Sequence, residues 1–123
     1  MASERNLHLV RFATDIRSCA AGETVFSEGE PGEVMYVVKE GEVDIRVREK
    51  TVETVGPGGI VGEMALIDHQ PRSATAVAKT ECQLVPINEA RFAFLVQETP
   101  FFALDVMRMM VRRLRRMDVE GLS

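Results

Sequence analysis

The segment Val61-Gly62-Glu63-Met64-Ala65-Leu66, continued beyond Ile67 to Pro71 by Arg72-Ser73-Ala74-Thr75, decides how the rest of the chain is read. Gly58, Gly59 and Gly62 lead into it, and glycine lets a backbone turn sharply and approach a ligand with no Cβ in the way. A short helical run starting at Glu63 presents first-turn N–H groups without intrahelical partners, those of Met64 and Ala65 among them, and with the helix dipole these attract an anion such as phosphate. Arg72 adds a planar, permanently charged fork suited to two phosphate oxygens, and Ser73, beside the small Ala74, adds a hydroxyl donor. Glu63 would repel that phosphate. Its expected task, shared with Gly62, is to hold a sugar, the carboxylate accepting hydrogen bonds from a hydroxyl.

One phosphate, one ribose hydroxyl and a compact glycine-lined pocket are the inventory of a cyclic nucleotide site. The run Gly62-Glu63-Met64-Ala65-Leu66 with Pro71-Arg72-Ser73-Ala74-Thr75 resembles the phosphate-binding cassette of the cyclic nucleotide-binding domain family, at that family's spacing. A second block, Gly29-Glu30-Pro31-Gly32, then Met35-Tyr36-Val37-Val38 and Gly41, resembles the family's other signature, so the resemblance covers most of the chain. The family includes catabolite-activator-like, kinase regulatory subunit-like and channel-type domains. This chain departs from it in carrying Val61 where an aromatic residue is usual, and in the bulk of Phe26. The resemblance implies a regulatory module that binds cAMP or cGMP and has no catalytic residues of its own. It implies that Ile45, Val55 and Val61 line the base side, that Arg113 lies over the base with Met117 beside it, and that the helix carrying them swings in on binding. In related domains a threonine after the phosphate arginine favours guanine. Ser73 has the hydroxyl without the methyl, which leans the reading towards cAMP.

Outward from the cassette, the pattern is mainly β. Ile16 to Cys19, Thr24 to Phe26, Met35 to Lys39, Val43 to Arg48, Thr51 to Val55, Thr75 to Ala78 and Cys82 to Ile87 read as short strands separated by Gly, Pro and charged turns, which predicts an antiparallel sandwich or barrel. The family resemblance narrows this to an eight-stranded antiparallel β-roll, jelly-roll-like, with flanking helices. In Val43 to Arg48 the alternation points Val43, Ile45 and Val47 to the core and Asp44, Arg46 and Arg48 to solvent. Glu30-Pro31-Gly32 reads as a type II turn, proline presetting φ and Gly32 taking the positive φ at the third position. At the start, Ser3 caps an amphipathic helix over residues 1–13 with Leu7 and Val10 on one face. Asn88 caps a helix from Glu89 to about Glu98 that turns Phe92, Leu95 and Val96 inward, and Thr99-Pro100 starts a last helix from Phe101 to about Met117.

The division expected is a single domain over residues 1–123: the N-terminal helix, a β-roll over 14–87 with its cassette at 58–75, and C-terminal helices over 88–120. No apolar run is long enough to span a bilayer and the first residues lack a signal peptide's apolar core, so a soluble, cytoplasmic protein is expected. The net charge of −4 argues against non-specific nucleic-acid binding, despite the arginines crowding the last helix. Cys19 and Cys82 read as buried free thiols, and the methionines of the last helix as core fillers. His8 and His69 are too few for a cupin-like metal enzyme, the rival from another class, and no metal or cofactor is expected beyond the nucleotide. A third reading is a relative of the family that no longer binds nucleotide; Glu63 and Arg72 together argue against it. The alternative within the leading class is a ligand-binding fragment of a larger transcription regulator, channel, kinase or transporter. Ser123 comes too early for a following helix-turn-helix, and the effector that would respond to this domain is not specified by any motif.

Overall fold

The computed structural model describes residues 13–120, with side chains to residue 116. Apart from Ala13, the helix expected over 1–13 lies outside the described residues. The strands are β1 (Arg17–Cys19), β2 (Thr24–Phe26), β3 (Val34–Glu40), β4 (Val43–Val47), β5 (Lys50–Val55), β6 (Ile60–Val61), β7 (Thr75–Ala78) and β8 (Cys82–Asn88). Helix α1 (Glu63–Asp68) interrupts them, and α2 (Glu89–Glu98) and α3 (Pro100–Glu120) follow. They form two four-stranded sheets, ordered β1-β8-β3-β6 and β2-β7-β4-β5, with every pairing antiparallel. This is an open β-roll. Its eighth strand, β6, is a two-residue piece that the sequence pattern did not single out.

Alternation along β3 builds two cores from one strand. Tyr36 and Val38 face the space between the sheets, with Val25, Phe26, Val43, Val55, Val61, Ala76 and Leu84. Met35 and Val37 face the other way, and Phe102, Val106 and Met109 of α3 cover them there. That two-sided burial explains why Val34 to Val38 is a continuous apolar run. Phe102 is fully buried and meets Phe92 edge-on at 5.8 Å, so truncating it to alanine would cost about 3–5 kcal/mol.

The helix signals act as their chemistry predicts. The Asn88 side chain accepts a hydrogen bond from the Arg91 N–H at 2.8 Å, and Pro100 takes the first position of α3. Phe92, Leu95 and Val96 pack against the second core. Met109 is buried there, but Met107 is exposed in a row with Leu104, Val111 and Leu114, so not all the methionines fill the core. Cys19 and Cys82 are free, buried and directly opposite one another in the β1–β8 pairing, and burial raises both thiol pKa values.

The Glu30-Pro31-Gly32 turn is built differently from the expectation. The positive φ falls on Gly29, at 88°, and Gly32 is not left-handed. Gly32 is required by space instead: a Cβ there would overlap Nε of Arg72 and lie 2.6 Å from its Cζ. The turn is fastened to the cassette by backbone bonds from Gly29 N–H to Arg72 C=O and from Arg72 N–H to Glu30 C=O, each 2.8 Å.

Candidate functional site

Between the second sheet, α1 and α3 lies a cleft that opens to solvent. Gly62 sits at the N-cap of α1 with φ 81°, a conformation a side-chain-bearing residue adopts only with strain, and the short helix starts at Glu63 as expected. The structure brings Gly62, Glu63, Met64, Ala65, Arg72, Ser73, Ala74, Ile45 and Arg113 to the wall of this one cleft. It does not bring Val55 and Val61, which are buried in the core between the sheets and do not line the cleft. Met117 lies beyond the described side chains.

Arg72 is the unusual residue. It is only 6% exposed, and among the described residues no carboxylate lies at ion-pair distance from it. Its Nη1 donates to the Gly62 carbonyl at 3.0 Å and its Nη2 to the Val34 carbonyl at 2.7 Å, while Nε has no hydrogen-bond partner among the described residues. The ring of Phe26 lies 4.1 Å from its Cζ. Burial lowers its pKa, opposed by Tyr36, Glu30 and Glu63 at longer range, yet an arginine so placed stays charged at neutral pH. Ser73 is exposed beside it, its Oγ donating to Met64 Sδ at 3.7 Å.

Glu63 is 3% exposed and is already engaged. Arg113 of α3 donates from Nη1 to Glu63 Oε1 at 2.6 Å, from Nε and Nη2 to the two oxygens of Glu53 at 2.7 and 3.3 Å, and from Nη2 to the Ile60 carbonyl at 2.7 Å. Arg116, one turn on, adds an ion pair with Glu53 at 3.2 Å and donates to the Val52 carbonyl at 3.0 Å. Burial alone would lower the Arg113 pKa, but the charge of Glu63 and the bonds to Glu53 outweigh it and the net shift is upward. Burial would likewise raise that of Glu53, but Arg113 and then Arg116 hold it below its ordinary value. In this structure Arg113 therefore clamps α3 to the roll through the carboxylate expected to hold the sugar.

Phe26, whose bulk the sequence reading connected with base packing, lines the cleft; Glu53, Val47, Val52, Met110, Leu114 and Arg116 also line it, and the sequence reading did not place them there. Glu53 is there by plain alternation, two residues from the buried Val55 and directly opposite Ile45. Val52 is there because Arg46 pairs with Thr51, which leaves it as the extra residue of a β-bulge. The available signal was the spacing of Arg113 and Arg116, three apart on one helix face and in need of an acid.

Other polar features take no part. His69 caps α1 in a left-handed conformation, 69% exposed, with Nε2 3.5 Å from Glu89. Among the described residues no three His, Cys, Asp or Glu side chains converge as a metal site would need, and no helix is long and apolar enough to cross a membrane.

Comparison with known proteins bears on the family and the fold. Residues 16–99 match the sequence profile described as Cyclic nucleotide-binding domain. The cyclic AMP receptor protein of Thermus thermophilus is 33% identical over 104 residues, covering 80% of this chain and 48% of that protein. The crystal structure of the catabolite activator protein from the same organism superimposes with a TM-score of 0.79 at 29% identity, covering 96% of this chain and 58% of the other. A solved structure described as Sp-2Cl-cAMPS bound to PKAR CBD2 does so with a TM-score of 0.77 at 26% identity, over 89% and 73%. The chain spans about half the length of the curated relatives it matches.

Proposed function

Since the chain belongs to the cyclic nucleotide-binding domain family, we propose that it is a regulatory module that binds cAMP or cGMP and turns binding into movement of α3. The observation that carries this is Arg72, a buried cation with an unpartnered Nε and no carboxylate at ion-pair distance among the described residues. Removing a charge from water is costly unless an opposite charge accompanies it, and a cyclic phosphate in the cleft supplies that charge. Ser73 donates beside it, and Gly62 lets the chain pass close. Glu63 accepts from the ribose 2′-hydroxyl, which requires Arg113 to share the carboxylate or give it up. The base then lies towards Ile45 and the face of α3 that carries Arg113.

In this reading residues 1–123 are one domain, cytoplasmic and without catalysis of its own, acting within a larger regulator as its ligand-binding part. No described group pairs a nucleophile with a base beside Arg72, and arginine is a poor general base. Ser73 and the cAMP named for the relatives favour cAMP over cGMP.

Calorimetric titration with each nucleotide tests the proposal, with thermal unfolding alongside, because a ligand bound only by the native state raises its apparent stability. Saturable binding of at least one, with no hydrolysis product by chromatography, is expected. No heat and no thermal shift at millimolar concentrations of both nucleotides would end it.

A further inference from the structure

We propose that Phe26 is a positioning residue for Arg72, its ring face holding the guanidinium where a cyclic phosphate meets it. The inference rests on the cleft being a cyclic nucleotide site. Arg72 is buried and its two carbonyl partners hold only the Nη ends of the fork. The face of Phe26, 4.1 Å from Cζ, is the electron-rich surface against that cation, and at 9% exposure the contact is largely desolvated, the condition in which cation–π attraction is strongest. The ring is itself held. It stacks on Tyr36 with centroids 6.5 Å apart at 18°, and Tyr36 accepts a hydrogen bond from Arg17 Nη1 at 3.0 Å with the Arg17 Cζ 5.5 Å from its ring centre. Arg17, Tyr36, Phe26 and Arg72 thus form a ladder, two stacked rings between two cations, that crosses from one sheet to the other. Gly62 completes the fit: a Cβ there would lie 3.1 Å from Phe26 Cε2 and 2.6 Å from Arg72 Nη1, so ring and guanidinium are packed against one backbone turn.

An aliphatic side chain at position 26 fills space but offers no quadrupole. The aromatic character of this residue, beyond its size, is therefore what fixes Arg72 and sets the anion affinity of the site. Incorporation of 4-fluoro-, 3,5-difluoro- and 3,4,5-trifluorophenylalanine at position 26 separates the two, because fluorination weakens the ring face with little change of shape. Titration with cAMP should show affinity falling stepwise along the series, by about 2- to 30-fold in total, the range to which a cation–π contact of about 0.5–2 kcal/mol converts. Phe26→Leu should fall to the end of that range, and the thermal midpoints of the fluorinated proteins without nucleotide should fall in step along the series, because the contact is already made there. In the protein without nucleotide, the Arg72 Nε–Hε resonance should shift along the same series and broaden in Phe26→Leu. A flat or rising affinity series overturns the proposal. If the wild-type protein binds neither cAMP nor cGMP, the cyclic nucleotide reading falls, and the Arg72 resonance alone decides: unmoved by fluorination, it overturns the positioning role as well.

Discussion

Replacing Arg113 with alanine tests the clamp between α3 and the roll. The guanidinium is 14% exposed and its partner Glu63 3%, so the change removes the ion-pair partner of a carboxylate that has almost no access to water. Breaking a buried pair in this way costs about 3–5 kcal/mol. Glu53 keeps Arg116 at 3.2 Å, so only Glu63 is left without a cation, which puts the expected loss near the lower end, about 3 kcal/mol. For a domain of this size that lowers the thermal midpoint by about 10–18 °C. The assay is thermal unfolding followed by circular dichroism at neutral pH without nucleotide. The double variant Glu63→Gln/Arg113→Met removes both charges at similar volume and should recover most of the loss, since what is costly is the orphaned charge. A fall of less than about 3 °C in Arg113→Ala would refute the reasoning, and an equal fall in the double variant would assign the effect to lost packing.

Arg72→Ala should weaken cyclic nucleotide binding by roughly thirtyfold to several thousandfold, the equivalent of about 2–5 kcal/mol, with Arg72→Lys recovering only part because an ammonium cannot make a two-pronged contact. Calorimetry reads both, and undiminished binding by the alanine variant would remove Arg72 from the ligand. The wild-type protein should bind 2′-deoxy cyclic nucleotide less tightly than the parent, and Glu63→Ala should show the same loss with the parent ligand; equal affinity of the wild-type for both ligands would mean that Glu63 does not read the ribose. The Glu53 carboxylate is held below its ordinary value near 4.5, so its share of stability is complete above that pH and is lost as pH falls through the lower, folded-state value. Glu53→Gln should accordingly flatten the acid limb of a stability–pH curve below about pH 5, and an unchanged limb would show that the Arg113–Glu53 pair is not coupled to folding.

The elements visible in the sequence are those with a local cause. Asn88, Pro100 and the alternation of Val43 to Val47 each dictate their own geometry within a few residues, and the strand and helix spans follow to within a residue or two except at the end of α3. The motif residues Gly62 to Ala65 and Arg72 to Ala74 converge for the same reason, being near neighbours in the chain. What the sequence concealed is non-local. Gly32 looks like a turn glycine until the Arg72 guanidinium is seen lying against it. Val52 looks like an ordinary strand residue until a bulge turns it into the cleft beside Glu53. Arg113 was expected over the base, and its two acids could not be identified before β5 and α1 were placed beside α3.

The order of the strands bears on how the chain is made. β1 and β2 are the first of these strands to be synthesised, and their hydrogen-bonding neighbours, β8 and β7, are the last. At a synthesis rate of about 5–20 residues per second, the early strands wait several seconds for them. Meanwhile Val34-Met35-Tyr36-Val37-Val38, an uncharged run of strong strand formers, has β6 on one edge but must wait for β8 to cover the other. Roll closure is set by such long-range pairings and belongs to the slower, millisecond-to-second class of folding reactions. The strand that supplies both cores is therefore also the segment most exposed to self-association before Asn88 is in place, with Glu33 the charge that borders it on one side and Lys39 and Glu40 on the other.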